Sequence, residues 1–530
     1  MKRTRIAVLG TAVVVLPVVV GGFVLQRREA TDAARLFAQV FARVAADAVD
    51  SVAPDAMYEK AARGLVRGLN DPYADLYSPQ ELSSFTRNSL GNAYGGVGML
   101  IEDQQGTFTV AKVYPHTPAE AGGVQLGDRI VSVNGTKTEG LKLEGVSSRL
   151  TGTPGSAVRV TFARGGVSQP IESQFTRAVV HIPAVPFALM LDDRIGYIPV
   201  QKFNETSGGE VETALRQLAG QGARSFVLDL RGNGGGDFDE SLRMANLFLK
   251  RGQDIVTVRS RTASPVVSRA MEQPVVADAP LVVLTDGYTA SASEIVAGAL
   301  QDHDRGVVIG TTSFGKGLVQ TLWTLEGGWA LKMTTGKWYT PSGRSIQRER
   351  KLNEEGRLVE VVPDSLETDS VRKARPTYKS DAGRVVYGGG GITPDVIIPS
   401  DTVTDAQQTF LKALAPKSQE SYLVLYRTAL EQKARVASNF TVEQAWRDSV
   451  YARLTSAGVQ ITRPAFDAAR ELVDRDLERR VASMAFGDSS AFRRTVSYDS
   501  QLRRAIDLLR KAGTQRELLA AATNGRPRSD

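Results

Sequence analysis

The sequence predicts a multidomain α/β protein, and three observations support this fold class. Its 530 residues are 42% hydrophobic, enough for three or four domains with sizeable cores. From Ile195 onwards, short apolar runs alternate with helical patterns, as in an α/β core. Residues 90–178 differ, because short β-rich runs alternate there with Gly, Asn and Asp, and residues 401–530 show helical spacing.

Residues 1–28 have the pattern of a membrane anchor. Lys2, Arg3 and Arg5 precede the uncharged run Ile6 to Leu25, and about 20 such residues span a bilayer. No clean small-x-small cleavage site follows, so we expect an uncleaved helix rather than a removed signal peptide. The positive-inside rule places the N-terminus in the cytoplasm, although basic residues flank both ends. We therefore expect a single-pass protein of the bacterial inner membrane whose remaining domains face the periplasm or cell exterior.

Residues 29–89 are predicted to be helical, because Leu36, Val40 and Val44 recur at four-residue spacing. The β-rich region 90–178 follows. It contains Tyr94-Gly-Gly-Val-Gly-Met-Leu-Ile101, Thr117-Pro-Ala-Glu-Ala-Gly-Gly123 and Gly127-Asp-Arg-Ile-Val-Ser-Val-Asn-Gly135. These three blocks, in this order, resemble a PDZ domain.

The PDZ resemblance implies a peptide-binding groove. The glycines of the first block would form a backbone nest for a C-terminal carboxylate, and the next strand would pair with an extended peptide. Met99 and Ile101 would help shape a side-chain pocket. The implied peptide-binding residues are Gly95, Gly96, Val97, Gly98, Met99 and Ile101.

A serine follows a predicted strand at a turn. Leu281-Val-Val-Leu has the pattern of a buried strand, Gly287 supplies the turn, and Ser291 opens a helical pattern. A hydroxyl there lies beside exposed N–H groups at a helix N-terminus, where an oxyanion can be stabilised. Ser291-Ala-Ser-Glu294 also fits a capping box, so this pattern alone leaves both interpretations open.

A lysine lies in a glycine loop after the next predicted strand. Lys316 stands between Gly315 and Gly317, where the backbone can pack closely and desolvate it, as a neutral lysine base requires. An ordinary solvated lysine is the alternative. A phosphate-binding loop is another, since Gly310-x-x-x-x-Gly-Lys matches most of that motif. Gly317 replaces its Ser or Thr, however, and a strand pattern follows where a helix belongs.

The two segments together resemble the C-terminal processing (tail-specific) serine proteases. The match runs through Thr289-Ala-Ser-Ala-Ser-Glu-Ile-Val-Ala-Gly-Ala-Leu-Gln-Asp-His303 and Phe314-Gly-Lys-Gly-Leu-Val-Gln320. The resemblance implies that Ser291 is the nucleophile, Lys316 the general base and Gln320 the group that orients the lysine. It also implies that the N–H of Ala292 is one oxyanion donor.

A second oxyanion donor is implied further upstream. Ser225-Phe-Val-Leu-Asp-Leu-Arg-Gly-Asn-Gly-Gly-Gly236 is a strand pattern that runs into a glycine turn, where several N–H groups can converge on one oxygen. The same resemblance implies that the donor lies in the Gly234–Gly236 turn, and we expect it to be the N–H of Gly235. A tight strand-to-helix connection is the alternative.

The residue inventory excludes several other chemistries. The chain has no cysteine and three histidines, of which His303 lies about 18 Å along the same helix from Ser291. Histidine spacing and carboxylate clusters typical of metal sites are missing, so we expect no metal and no cofactor. The net charge of +7 is dispersed, which argues against nucleic-acid binding.

The protease core is predicted to span residues 179–400. It closes with Tyr339-Thr-Pro-Ser-Gly-Arg-Ser-Ile-Gln347 and Gly391-Ile-Thr-Pro-Asp395, and residues 348–390 between them have the composition of a surface insertion that covers or regulates the cleft. Residues 401–530 are predicted to form a helical extension. There Ala469, Val473, Leu477 and Val481 repeat every four residues. Such a helix face belongs either to a core or to a dimer interface.

These observations lead to one hypothesis and two alternatives. The hypothesis is a serine endopeptidase that binds protein C-terminal tails through its PDZ domain and hydrolyses peptide bonds by a Ser-Lys mechanism through an acyl-enzyme. Its expected partners are proteins with accessible C-termini, the membrane, a regulatory adaptor and further copies of the chain. A catalytically silent peptide-binding scaffold and a nucleotide-binding protein are the alternatives.

Overall fold

The computed structural model describes residues 32–86, 91, 93–104, 106–164, 167–352, 358–360, 371 and 373–524. The membrane helix predicted within residues 1–28 lies outside them. None of the helices in these ranges combines the length and the apolar character needed to cross a membrane.

The helices are distributed over the N-terminal region, the middle of the chain and the C-terminal third. They are α1 (32–47), α2 (Pro54–Arg67), α3 (Pro79–Phe85), α4 (Pro118–Ala121), α5 (Leu143–Leu150), α6 (Ser207–Gly220), α7 (Phe238–Asn246), α8 (Ala292–Asp302), α9 (Asp405–Leu414), α10 (Ser418–Gln432), α11 (Gln444–Ser456), α12 (Arg463–Ala468), α13 (Arg470–Phe486), α14 (Asp488–Thr495), α15 (Ser500–Lys511) and α16 (Gln515–Asn524).

The strands lie between residues 75 and 397. They are β1 (Asp75–Tyr77), β2 (Ala93–Gly96), β3 (Met99–Gln104), β4 (Thr107–Val113), β5 (Arg129–Val133), β6 (Thr136–Lys137), β7 (Ala157–Ala163), β8 (Ile171–Thr176), β9 (Ala178–His181), β10 (Leu189–Met190), β11 (Ile195–Pro199), β12 (Ser225–Asp229), β13 (Asp254–Ser260), β14 (Val266–Arg269), β15 (Leu281–Thr285), β16 (Val307–Gly310), β17 (Leu318–Thr324), β18 (Ala330–Tyr339), β19 (Arg350–Leu352), β20 (Leu358–Glu360), β21 (Thr377–Lys379), β22 (Val385–Tyr387) and β23 (Val396–Ile397).

The chain divides into two compact units. The first comprises the described residues from 32 to Pro79 together with Gln320–Thr334. Within it β1 pairs antiparallel with the first residues of β18, and Arg63 Nη1 donates to the carbonyl of Leu76 at 2.8 Å. Helix α2 buries Met57 and Val66 on its apolar side. The second unit contains the other described residues.

A six-stranded sheet forms the centre of the second unit. Its order is β10-β11-β12-β15-β16-β23, and all neighbours from β11 to β23 are parallel. Phe226 and Val283 point to one face, in a core with α6, α7 and α8. Val227 and Val282 point to the other face, in a core with α15 and α16. Two helices of the predicted C-terminal extension are therefore part of the sheet's own core.

The remaining C-terminal helices form a separate cluster. Helices α9 to α14 share a core in which Val473, Leu477 and Val481 are buried. This cluster contacts the β-rich region, because Tyr422 donates from its hydroxyl to Glu102 at 2.7 Å. The stripe at four-residue spacing thus faces other helices of its own cluster.

The β-rich region is a small antiparallel sheet of order β3-β4-β5-β7-β8, with β6 paired to β5. Phe108, Val110 and Phe162 lie in its core, and α5 packs against it through Val146 and Leu150. Strand β2 pairs instead with β9, and the two form a separate antiparallel sheet. In the described residues β3 has β4 as its one strand neighbour, so β3 is an edge strand.

Candidate active site

Ser291 lies in a sharp turn between β15 and α8. Its φ of 57° and ψ of −115° fall where a residue with a side chain is strained, at a cost of about 1–3 kcal/mol. Neighbouring bonds hold the turn in place: the hydroxyl of Thr289 donates to the carbonyl of Leu230 at 2.9 Å. The fold therefore imposes an unusual backbone at the predicted nucleophile, and α8 begins directly after it with Ala292, which is buried.

Glu294 connects the serine turn with the lysine loop. Its Oε2 accepts hydrogen bonds from the backbone N–H of Ser291 at 2.7 Å and from that of Lys316 at 2.9 Å. Its Oε1 accepts from the hydroxyl of Ser313 at 2.5 Å and from the N–H of Gly315 at 2.6 Å. One buried carboxylate thus holds two segments that are distant in sequence.

The surroundings act on the Glu294 pKa in opposite directions. Burial raises the pKa, whereas the hydrogen bonds from Ser313 and from the N–H groups of Lys316, Ser291 and Gly315 lower it, and the net direction is upward. The capping contact predicted for Glu294 is present at Ser291. Helix capping alone does not account for the contacts of Glu294, because the same carboxylate also accepts from the lysine loop.

The loop around Lys316 is closely packed. Gly315 has a φ of +82°, and a Cβ on it would lie 2.8 Å from the Cβ of Arg348. A Cβ on Gly317 would lie 3.0 Å from the backbone N of Gln347. Lys316 itself is half-buried, and its carbonyl accepts from Trp338 Nε1 at 3.1 Å. The two glycines therefore permit the close backbone approach expected from the sequence.

The same loop does not have the form of a phosphate-binding loop. Strand β17 follows it, as predicted, where a phosphate loop would continue into a helix. The N–H groups of Gly315 and Lys316 donate to Glu294, an anion supplied by the chain itself. The geometry is thus unsuited to a nucleotide phosphate.

The start of the predicted surface insertion 348–390 is anchored on the lysine loop. Arg348 is buried and donates from Nη2 to the carbonyls of Ser313 at 3.2 Å and Gly390 at 2.8 Å. The Arg350 guanidinium lies 3.7 Å from the centre of the Phe314 ring. Arg348, the first residue of this segment, is therefore buried rather than at the surface, and backbone carbonyls accept from its charged group; the surface insertion as a whole stays a prediction.

The glycine turn after β12 lies against the serine turn. Gly235 has a φ of +91°, and a Cβ on it would lie 2.9 Å from the Cβ of Ser291. The carbonyl of Asn233 accepts hydrogen bonds from the N–H of Ala290 and the hydroxyl of Ser293, both at 3.0 Å. The N–H of Gly235 donates to Asn233 Oδ1 at 2.9 Å, so it would have to exchange this bond to reach an oxyanion. Its role as a donor stays a prediction, as does that of Ala292.

Gln320 lies in the first unit, on β17. Its Nε2 donates to the hydroxyl of Thr334 at 3.3 Å, and that hydroxyl donates to Asp71 at 3.1 Å. The predicted role of Gln320 in orienting Lys316 stays a prediction.

His303 is held by two partners. Its Nδ1 lies 2.7 Å from Asp381 Oδ2, and its Nε2 lies 2.7 Å from the carbonyl oxygen of Asp254. It follows α8 directly, at the opposite end of the helix from Ser291. A structural function therefore accounts for both ring nitrogens, in agreement with its exclusion as a base.

An ion-pair network at the end of β12 was missed by the sequence analysis. Arg231 Nη2 donates to Asp229 at 2.6 Å and to Asp499 at 2.7 Å, and the hydroxyl of Tyr197 donates to Asp229 at 2.7 Å. Burial, followed by the charge of Asp229, raises the pKa of Tyr197 well above its usual value. The network ties the first residues of the glycine turn to the start of α15.

Replacing Asp499 by asparagine tests this network. Asp499 also caps α15, accepting from the N–H of Leu502 at 2.9 Å, and asparagine retains that capability. Asparagine loses the charge and one acceptor oxygen facing Arg231, which should lower the free energy of unfolding by about 1.5–3 kcal/mol, as for a hydrogen bond to a charged group. Asp499→Ala should cost about 1 kcal/mol more, because the cap is lost as well. Urea denaturation measures both, and an asparagine variant as stable as the parent would show that the ion pair contributes nothing.

The predicted peptide site coincides in part with a cavity of about 600 Å³. Val97, Met99 and Ile101 line it, together with Tyr94 and Lys202, which the sequence analysis did not single out. The predicted glycines Gly95, Gly96 and Gly98 are not among its lining residues. Gly95 and Gly96 are paired with β9, while Gly98 has a φ of +90° and approaches Thr117 so closely that a Cβ would lie 2.2 Å from that side chain.

Comparison with known proteins identifies the family. The model of peptidase family S41 matches residues 194–356, and a PDZ-domain model matches residues 109–164. A carboxy-terminal-processing protease from Bartonella bacilliformis is 34% identical over 59% of this chain and 72% of its own length. The chain belongs to peptidase family S41.

Further relatives of this S41 peptidase have similar names. The carboxy-terminal processing protease CtpA of Bacillus subtilis is 30% identical over 59% of this chain and 66% of its own length. A solved photosystem II D1 C-terminal processing protease is 28% identical, covers 68% of this chain and 85% of that one, and has a TM-score of 0.37. The two family models and the two bacterial relatives confirm the predicted family, its class of enzyme and the presence of a PDZ domain.

Proposed function

We propose that this chain is a serine endopeptidase with Ser291 as nucleophile and Lys316 as general base. The observation that carries the proposal is the shared contact of Glu294 Oε2 with the backbone N–H groups of both residues. A nucleophile and its base must lie within hydrogen-bond reach during the reaction, and a common anchor for their backbones favours that arrangement.

The chemistry then runs in two stages. Neutral Lys316 takes the Ser291 hydroxyl proton while the oxygen attacks the peptide carbonyl carbon, and the N–H groups of Ala292 and Gly235 stabilise the oxyanion. The C–N bond breaks, the amine leaves with the proton from Lys316, and an ester to Ser291 remains. Lys316 next takes a proton from water, which hydrolyses the ester, and returns the proton to Ser291. Gln320 orients Lys316 in this scheme.

Substrate selection is assigned to the PDZ domain. An extended tail adds as a strand to the edge strand β3, and its last side chain enters the pocket near Met99 and Ile101. Substrates are then proteins with accessible C-termini.

The cellular location of the protein is also part of what we propose. The uncharged run Ile6 to Leu25 anchors the chain as a single-pass protein in a bacterial inner membrane, with its catalytic region on the periplasmic or outer side. A regulatory adaptor and further copies of the chain are its proposed partners beyond substrate.

Hydrolysis of an unfolded protein with an apolar C-terminal tail tests the catalytic assignment. Ser291→Ala and Lys316→Ala should each lower kcat/KM roughly 10⁴-fold or more, as when one member of a Ser-based catalytic unit is lost. Lys250→Ala, at an exposed position of the same core, is the matched control and should retain the parent rate. Near-normal hydrolysis by Lys316→Ala would exclude the dyad. Tail binding without turnover in the parent would favour the scaffold alternative.

A further inference from the structure

The peptide groove has walls from two domains. Tyr94, Met99, Ile101 and Leu143 come from the PDZ region and form its apolar part. Ile182 and Lys202 come from the predicted protease core and line the same cavity. A ligand in this cavity would therefore contact both domains at once.

The groove is suited to an extended peptide. Met99, Leu100 and Ile101 of β3 line it, and within the described residues β3 is paired only with β4. The other edge of β3 can thus accept a further strand, whose alternate side chains would enter the apolar pocket. The occupant that fits these features is an extended chain with an apolar final residue.

Lys202 supplies the positive charge of this groove. It is half-buried and its Nζ donates to the carbonyl of Gly91 at 3.0 Å, while burial lowers its pKa. The ammonium group has three hydrogens to donate. The ionisable side chains that line the cavity with it are Tyr94, Tyr114 and the exposed Glu144. An anionic group on the ligand would therefore be attracted to the protease-core wall.

We propose that Lys202 binds the terminal α-carboxylate of a protein tail that lies along β3. This inference rests on the proposed recognition of C-terminal tails and assigns part of that recognition to the protease core. The apolar pocket selects the last side chain, and the charged hydrogen bond from Lys202 selects a free chain end over an internal segment.

The position of Lys202 also links the groove to the candidate oxyanion turn. The next residue, Phe203, donates from its N–H to the carbonyl of Gly235 at 3.1 Å. The carbonyl of Val200 accepts from Asn233 Nδ2 at 2.8 Å. A tail bound by Lys202 therefore contacts the segment that holds Gly235 against Ser291.

The test compares two forms of one labelled peptide, with an apolar last residue and either a free carboxylate or a C-terminal amide. Binding to the full chain carrying Ser291→Ala is measured by fluorescence anisotropy. We expect the acid to bind about tenfold more tightly than the amide. Lys202→Met should remove that preference, and Lys202→Arg should retain most of it. Lys137→Met, on the exposed strand β6, is the matched control and should leave the ratio unchanged.

The outcomes separate this inference from the proposed catalysis. If Lys202→Met leaves the ratio of acid to amide affinity unchanged, backbone N–H groups alone bind the carboxylate and the inference is overturned. Failure of the acid peptide to bind while Lys202 is intact also overturns it. If the parent does not hydrolyse protein but the acid preference depends on Lys202, the catalytic proposal fails and the role of Lys202 stands.

Discussion

Replacing Glu294 by glutamine is expected to lower kcat/KM at least about 100-fold, with tail binding unchanged. The carboxylate accepts hydrogen bonds at both oxygens, whereas the glutamine amide has one acceptor oxygen and one NH₂ group. In either orientation the NH₂ group faces N–H or O–H donors, and each buried group left unsatisfied costs about 1–3 kcal/mol. The contacts with the backbone N–H groups of Ser291 and Lys316, or those with Ser313 and Gly315, are then lost.

A control separates this effect from loss of a hydrogen-bonded carboxylate in general. Glu240 on α7 is partly buried, and it accepts from the N–H of Gly208 at 2.6 Å and from the hydroxyl of Ser207 at 3.3 Å. Glu240→Gln should lower the urea midpoint, by less than Glu294→Gln because the site is less buried, and retain kcat/KM within about threefold. Equal activity of Glu294→Gln and Glu240→Gln would contradict a positioning function for Glu294.

The candidate site shows which parts of a protein can be predicted from local pattern. The turn at Ser291 and the loop at Lys316 are signalled by adjacent residues, because glycines and a strand-to-helix change are local features. The capping contact of Glu294 is local as well. Its contact with Lys316 spans 22 residues and depends on how two strands of the sheet align, which no local pattern specifies.

The C-terminal region shows the same limit in the fold. Helical spacing around Leu502, Ile506 and Leu509 predicts an apolar face but does not name its partner. In the structure these residues cover one face of the central parallel sheet. A parallel sheet must be buried on both faces, and β15 with its five buried residues requires such a cover. The predicted extension thus contains the helices that cover one of the two faces of the sheet.

Replacing Asp302 by alanine is expected to destabilise the core by about 3–5 kcal/mol. Asp302, the last residue of α8, is 1% exposed and accepts from Arg344 Nη2 at 2.7 Å, while Arg344 is 0% exposed. Burial lowers the pKa of Arg344, and the charge of Asp302 opposes that shift. Removing one partner of a buried pair leaves the other charge uncompensated, which produces the large cost. Thermal unfolding of the full chain and hydrogen exchange of α8 would measure it.

Two further variants determine whether the effect belongs to the buried charge. Glu212→Ala removes an exposed ion pair with Arg216 on α6 and should cost only about 0.3–0.5 kcal/mol. The double replacement of Asp302 by leucine and Arg344 by methionine should recover much of the stability lost in Asp302→Ala, because no charge is left unpaired. If the double variant is no more stable than Asp302→Ala, packing around α8 rather than the uncompensated charge determines the loss. Since α8 begins at the serine turn, the exchange rate of its first amides would also report whether Asp302 helps to hold Ser291 in place.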